Sequence, residues 1–185
     1  MAELSLPSEA YRESFLEAMQ ELRDEGRGSP DDSTSIGRDL RSWTGSWETA
    51  EGFARYVADV RAKADESAVL PPNWVHSTTW WWVDGGEYVG RIALRHRLTR
   101  FLLDVGGHIG YDVRPTARRR GHATAMLAAV LPEAHEMGID PALLTCDVDN
   151  LASRKVIEAN GGELEDARAG KLRFWVPTAR AVAAQ

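Results

Sequence analysis

Three arginines and a glycine, Arg118-Arg119-Arg120-Gly121-His122-Ala123-Thr124, stand between a strand-like run, His108-Ile109-Gly110-Tyr111-Asp112-Val113, and an apolar helical stretch. A glycine with basic neighbours at a strand-to-helix turn leaves backbone N–H groups bare at the positive end of a helix dipole. That arrangement holds phosphate or pyrophosphate. Arginines are the wrong charge for a merely solvated helix start, and Gly121 in the first turn costs about 1 kcal/mol against alanine. Both are understandable if an anion sits there. The turn is neither a Walker A loop, since Gly-Lys-Ser/Thr is missing, nor a G-x-G-x-x-G fingerprint.

The chain has 185 residues, 43% hydrophobic and 27% charged, as expected of one ordinary globular domain able to bury a core. Its formal net charge of -6 argues against general nucleic-acid binding and makes a local arginine cluster conspicuous. An acidic chain also suits a cationic partner. With one cysteine, Cys146, no internal disulfide forms, and a cytoplasmic setting is expected. Met1 to Ser5 lacks the marks of a signal peptide, and no apolar run approaches the roughly 20 residues that span a bilayer. No metal-ligand cluster stands out.

The elements that must position the turn follow from periodicity. Tyr11, Phe15, Met19 and Leu22 recur at helical spacing and predict a helix over 8–25, capped by Ser8. Gly26 to Trp47, rich in Gly, Ser and Asp, reads as a long loop carrying Trp43 and Trp47, and 50–64 as a second helix. Two strands, 77–83 and 88–94, are joined by Asp84-Gly85-Gly86, a hairpin signal. Then come a strand over 108–114, a helix over 118–137 that Pro132 should kink or shorten, a strand over 142–147, a short helix after Asn150, and a last strand over 171–176. Helices, antiparallel strands, then β-α-β-α-β make an α/β (α+β) fold with a mixed central sheet flanked by helices. Residues 1–72 form a helical elaboration and 73–180 the core of a single domain.

Two motifs carry a family resemblance. Val113 with Arg118-Arg119-Arg120-Gly121-His122-Ala123 resembles the acyl-coenzyme A signature Gln/Arg-x-x-Gly-x-Gly/Ala of the GNAT N-acetyltransferase superfamily. Asn150-Leu151-Ala152-Ser153-Arg154, continuing to Gly162, resembles its second signature, separated from the first by a helix and a strand as the family requires. The pattern is closest to the ribosomal-protein and antibiotic-acetylating branches. The resemblance implies a GNAT fold and acetyl-CoA as cofactor. It also implies backbone contacts from Tyr111 and Val113 to a pantetheine arm inserted where two strands splay. N–H groups from Arg119 to Thr124 would hold the pyrophosphate, with charge from Arg118, Arg119 and Arg120. Asn150, Ser153 and Arg154 would touch the far side of the cofactor, although Asn150 can equally be a plain N-cap, and the two roles can coexist.

The tyrosine that many members use as general acid is replaced by Ile157. His108 stands where the related branches often carry a glutamate, and a histidine that titrates near neutrality would serve as general base. Its bland reading is a structural histidine at a strand edge. Tyr111 and Asp147 are further catalytic candidates, and Cys146 reads as a small buried residue. Trp43 and Trp47 would line the acceptor pocket. Arg95 and His96 would meet a substrate carboxylate or face solvent. The expected reaction is direct acetyl transfer to a primary amine of a small, cationic molecule by a monomer or homodimer, without nucleic acid or membrane. The alternatives are a protein N-terminal acetyltransferase and a non-catalytic acyl-CoA sensor.

Overall fold

The computed structural model describes residues 1–179. A seven-stranded sheet in the order β1-β2-β3-β4-β5-β7-β6 divides two hydrophobic cores. Its strands are β1 (Glu3–Ser5), β2 (Ser77–Asp84), β3 (Glu87–Arg95), β4 (Ile109–Val113), β5 (Ala142–Asp147), β6 (Glu163–Arg168) and β7 (Lys171–Val176). All pairings are antiparallel except β4 with β5. Helices α1 (Arg12–Asp24), α2 (Ser35–Trp47) and α3 (Ala50–Ala62) cover one face, and α4 (His122–Glu136) and α5 (Leu151–Ala159) the other.

Helix α1 buries Phe15, Ala18, Met19 and Leu22, an i, i+3, i+4, i+7 stripe. Phe15 is fully buried and its ring lies 5.1 Å from those of Trp47, Trp81 and Tyr88, so α1, α2 and β2–β3 share one aromatic cluster. Burial of such a ring is worth about 1.5–3 kcal/mol. Period-2 alternation splits the tryptophan run: Trp81 joins this cluster, while Trp80 and Trp82 face the α4 side. The hairpin loop Gly85-Gly86 has both φ angles positive, 60° and 84°, as a tight two-residue turn requires.

Three expectations need correction. Residues 35–47 are helical. Thr34 caps α2 by accepting from the Gly37 N–H (3.1 Å), and Ile36, Leu40 and Trp47 bury one face. The N-terminal segment also contributes β1, which pairs with β2 and ties residues 3–5 into the sheet. Helix α4 begins at His122 rather than Arg118, and it runs through Pro132 to Glu136. Strand β6, exposed along most of its length, is a further addition.

Candidate active site

Strands β4 and β5 share one register pair, Ile109 with Leu144, and then part. The pair is pinned at its start by the His108 N–H donating to the Leu143 carbonyl (2.7 Å) and by the Leu143 N–H donating to His108 Nδ1 (2.9 Å). Beyond Ile109, the β5-facing edge of β4 has no strand partner, which leaves a wedge with backbone polar groups on its rim. Tyr111 stands in this wedge, its hydroxyl donating weakly to the Ser153 carbonyl of α5 (3.4 Å), and burial pushes its pKa up to about 12.

The chain leaves β4 through a 3₁₀ turn, Pro115–Ala117, and reaches α4 by way of Arg119 (φ 64°) and Gly121 (φ 84°). Gly121 is the N-cap and supplies no side-chain acceptor. Among the described residues nothing accepts from the N–H groups of Arg119 to Thr124, which are therefore available together at the helix start. The turn is held from α1. Glu21 accepts from the Arg114 guanidinium and from the Thr116 N–H (3.1 Å). Burial works against this carboxylate, but those hydrogen bonds bring its pKa below the ordinary value. Glu25 pairs with Arg118 (2.8 Å), so Arg118 is already neutralised within the chain, whereas Arg119 and Arg120 have no carboxylate partner among the described residues. His122 Nδ1 accepts from the Trp82 indole (3.1 Å), fixing the first residue of α4 against the sheet. A free amide cluster flanked by two unpaired guanidiniums fits a diphosphate, and the wedge fits an extended arm that needs backbone partners.

The second signature is held close by. The Asn160 amide donates to the Thr124 carbonyl (3.3 Å), joining α5 to the first turn of α4. Asn150 is the N-cap of α5, its side chain accepting from the Ser153 N–H (3.0 Å), and Arg154 pairs with Glu158 on the same helix (2.7 Å).

On the opposite face of the sheet a cleft of about 590 Å³ lies between the helical layer and β2–β5. Its floor is Thr79, Arg91, Ala93, Arg95, Gly110 and Asp112, its wall the start of α2 with Arg38 and Asp39, and its rim Trp74 and Phe101. The cleft reaches Tyr111 and Thr145, so it meets the β4–β5 wedge at the sheet itself. Arg91 is 6% exposed and donates to Asp39 (2.5 Å), with Asp112 at 3.8 Å. Asp39 also accepts from the Tyr56 hydroxyl (3.1 Å), and Asp112 from Arg27 (3.2 Å).

The sequence candidates for acceptor contact and for chemistry are redistributed. Arg95 lines the cleft, but His96 bonds Thr78 (2.9 Å) and Glu66 (2.7 Å) away from it. Trp47 is buried among Phe15 and Tyr56, and the Trp43 ring packs on Tyr56, so both serve the aromatic cluster and neither lines the cleft. His108 is held below its ordinary pKa, at about 4, by burial and then by the charge of Arg95. Its Nδ1 lone pair is taken by the Leu143 N–H, which puts the proton of the neutral ring on Nε2. A ring in that state has no free lone pair with which to accept a proton. Asp147 is exposed at the end of β5 and pairs with Lys171 (2.5 Å). Cys146 is buried on the α4 side, and burial raises its thiol pKa. The residues that sequence reasoning missed are Arg38, Asp39 and Arg91. Arg38 and Asp39 lay in the stretch read as a loop, and Arg91 hid between apolar neighbours in β3.

No group of three or more His, Cys, Asp or Glu is placed to hold a metal among the described residues, and no helix there is long and apolar enough to cross a membrane. The fold is shared with solved acetyltransferase structures. Mycobacterium smegmatis RimJ in complex with CoA-disulfide superposes with a TM-score of 0.67 at 16% identity, covering 100% of this chain and 85% of that one. The ribosomal-protein-S5-alanine acetyltransferase from Vibrio fischeri gives 0.63 at 13% identity, covering 97% and 93%. A Salmonella typhimurium acetyltransferase that modifies the N-terminal serine of ribosomal protein L7/L12 gives 0.58 at 15%, covering 94% and 92%. No curated protein matches the chain. The model of the acetyltransferase (GNAT) domain matches residues 35–163, which include the wedge, the amide turn and most of the cleft. The chain therefore belongs to the GNAT acetyltransferase family and is an acetyl-CoA-dependent N-acetyltransferase.

Proposed function

We propose that the protein transfers acetyl directly to a primary amine that enters by the cleft, while the donor lies along the wedge and the α4 turn. One observation carries this reading: the cleft and the wedge open onto each other at Tyr111 and Thr145, so two reactants brought from opposite faces of the sheet would meet there. Holding both in contact removes much of the entropic cost of a bimolecular step.

Acetyl-CoA, when bound, supplies a thioester whose carbonyl carbon takes the amine nitrogen as the C–S bond breaks and the sulfur leaves as thiolate. The N–H groups of Arg119 to Thr124, with Arg119 and Arg120, are the diphosphate holders. The free edge of β4 from Gly110 to Val113 is the partner for the pantetheine arm, and Ser153 lies beside it. Asn150 and Arg154 are assigned to the helix, as cap and as surface ion pair.

Neither cleft carboxylate is free to act as a base, since Asp39 and Asp112 are both held by arginine. The arginines instead favour the neutral amine over its ammonium form, which supplies the nucleophile without a dedicated base. The proton lost from nitrogen leaves through cleft water. The Tyr111 hydroxyl, in the wedge and only weakly engaged, keeps its proton and donates a hydrogen bond to the departing thiolate, which is then protonated by water.

Tyr111→Phe is the test, read as free thiol released from acetyl-CoA in the presence of an amine. We expect kcat to fall about tenfold or more, with coenzyme A affinity little changed. Unchanged kcat would remove Tyr111 from the reaction. Because several structural neighbours are named for ribosomal-protein acetylation, N-terminal peptides belong among the amines tried, beside amino acids and amino sugars.

A further inference from the structure

We infer that the acceptor carries an acid group on the same molecule as its amine, and that Arg38, Arg95 and the free nitrogen of Arg91 recognise it. This rests on the transfer reading above and narrows it to a class of acceptor.

The cleft is lined by Arg38, Lys63, Arg91, Arg95 and Lys171 against Asp39 and Asp112. Several of these cations are already matched: Arg91 by Asp39 (2.5 Å), Lys63 by Asp59 (2.6 Å) and Lys171 by Asp147 (2.5 Å). Arg38 and Arg95 have no carboxylate partner among the described residues. Both are anchored by neutral oxygens instead. Arg95 Nη1 donates to the carbonyls of Gly106 (3.0 Å) and Gly107 (2.9 Å). Arg38 donates to the Ser33 carbonyl (2.7 Å) and the Ser35 hydroxyl (3.1 Å), and its guanidinium lies 5.4 Å from the Trp74 ring centroid. These contacts fix the position of each guanidinium without cancelling its charge.

The two guanidiniums line one cleft, and burial lowers the pKa of both. Burial, and then the charge of Arg38, bring Arg95 below its ordinary pKa. Like charges held together in a partly desolvated cleft are costly unless an anion joins them. A third group points the same way. Arg91 lines the cleft with its Nη2 buried and without a hydrogen-bond partner. Buried guanidinium donors are rarely left unmade, and with Nη1 held by Asp39 the Nη2 group is free to donate to one oxygen of an added acid. An acid group drawn into this cluster would also orient the amine that shares its molecule, the amine pointing along the floor toward Tyr111.

The measurement is acetylation of matched acceptors at fixed acetyl-CoA: amino acids against their carboxamides, and short peptides beginning with Asp or Glu against those beginning with Asn or Gln. The first pair places the acid on the α-carbon and the second on the side chain, so the two arms separate the sources. We expect kcat/KM for the acid to exceed that for its amide by at least tenfold in one arm. In Arg38→Met the acid-to-amide ratio should fall toward one. An ordinary melting temperature for this variant checks that it is folded. Should it fail to fold, the salt dependence of KM serves instead, rising for the acid and flat for the amide. If neutral or cationic amines are acetylated as well as their acidic counterparts, the inference fails and the transfer reading stands. If acetyl-CoA binds and no amine of any charge releases thiol, the transfer reading itself fails.

Discussion

Gly121→Asp is expected to weaken coenzyme A binding about a hundredfold or more while the protein remains folded. An added Cβ at Gly121 meets no atom within 4 Å, so crowding is not the cause. The positive φ of 84° adds strain of about 1 kcal/mol, which a folded domain tolerates. The effect comes from charge. A carboxylate among the N–H groups that would receive a diphosphate sits about 5 Å from it, and at an effective dielectric of about 20 each pair of charges costs about 3 kcal/mol. That corresponds to at least two decades in affinity. Calorimetric titration with coenzyme A measures it, and Gly121→Ala separates strain from charge because it carries only the first. Equal, small losses in both variants would mean that the diphosphate lies elsewhere.

Asp39→Ala should be the most damaging single change in the cleft, destabilising the fold by about 3–5 kcal/mol. Asp39 accepts at one oxygen from both Arg91 (2.5 Å) and the Tyr56 hydroxyl (3.1 Å), all three groups lying between α2, α3 and β3. Burial alone would lower the Arg91 pKa, but the Asp39 carboxylate beside it raises the value well above that of a free guanidinium. Without Asp39, the nearest carboxylate to Arg91 is Asp112 at 3.8 Å, which Arg27 already engages. A buried charge is then left nearly uncompensated. Urea denaturation gives the loss directly. The double variant Asp39→Leu with Arg91→Met should recover most of it, because removing both partners leaves no orphaned charge. If Asp39→Ala costs less than about 1 kcal/mol, the pair is more hydrated than its burial implies.

The sheet core and the turn that opens α4 were legible from sequence because each rests on local signals. The spacing of Tyr11, Phe15, Met19 and Leu22 gave α1, Asp84-Gly85-Gly86 gave the hairpin, and the Arg-Gly turn marked the approach to α4. Helix α2 was hidden because Ser35, Gly37, Thr44, Gly45 and Ser46 are weak helix formers. Its signals were the Thr34 cap and the Ile36, Leu40, Trp43, Trp47 spacing, and tertiary packing outweighed propensity. The misreading of α2 carried over to the acceptor side. Trp43 and Trp47 were assigned to a loop and so to a pocket, while Arg38 and Asp39, which do line the cleft, went unseen.

His108 illustrates a different limit. Its residue type suggested a base, and only the hydrogen bond from Leu143, a residue 35 positions along the chain, shows that its lone pair is spent in pinning β4 to β5. Net charge is a similarly coarse guide. The formal value of -6 averages over the whole chain, whereas the cleft concentrates Arg38, Arg91 and Arg95 on one face of the sheet. The acidic acceptor proposed from the cleft therefore departs from the cationic one expected from composition, and the matched-acceptor comparison decides between them.

In the proposed reaction, donor and acceptor approach the β4–β5 junction from opposite faces of the sheet. A crystal structure of the protein with coenzyme A tests this most directly. The diphosphate is expected within hydrogen-bond distance of the N–H groups of Arg119 to Thr124, the pantetheine arm between β4 and β5, and the thiol beside Tyr111, with the Arg38–Arg95 cleft left open. Coenzyme A lying within that cleft, or a diphosphate bound away from the α4 turn, would contradict it.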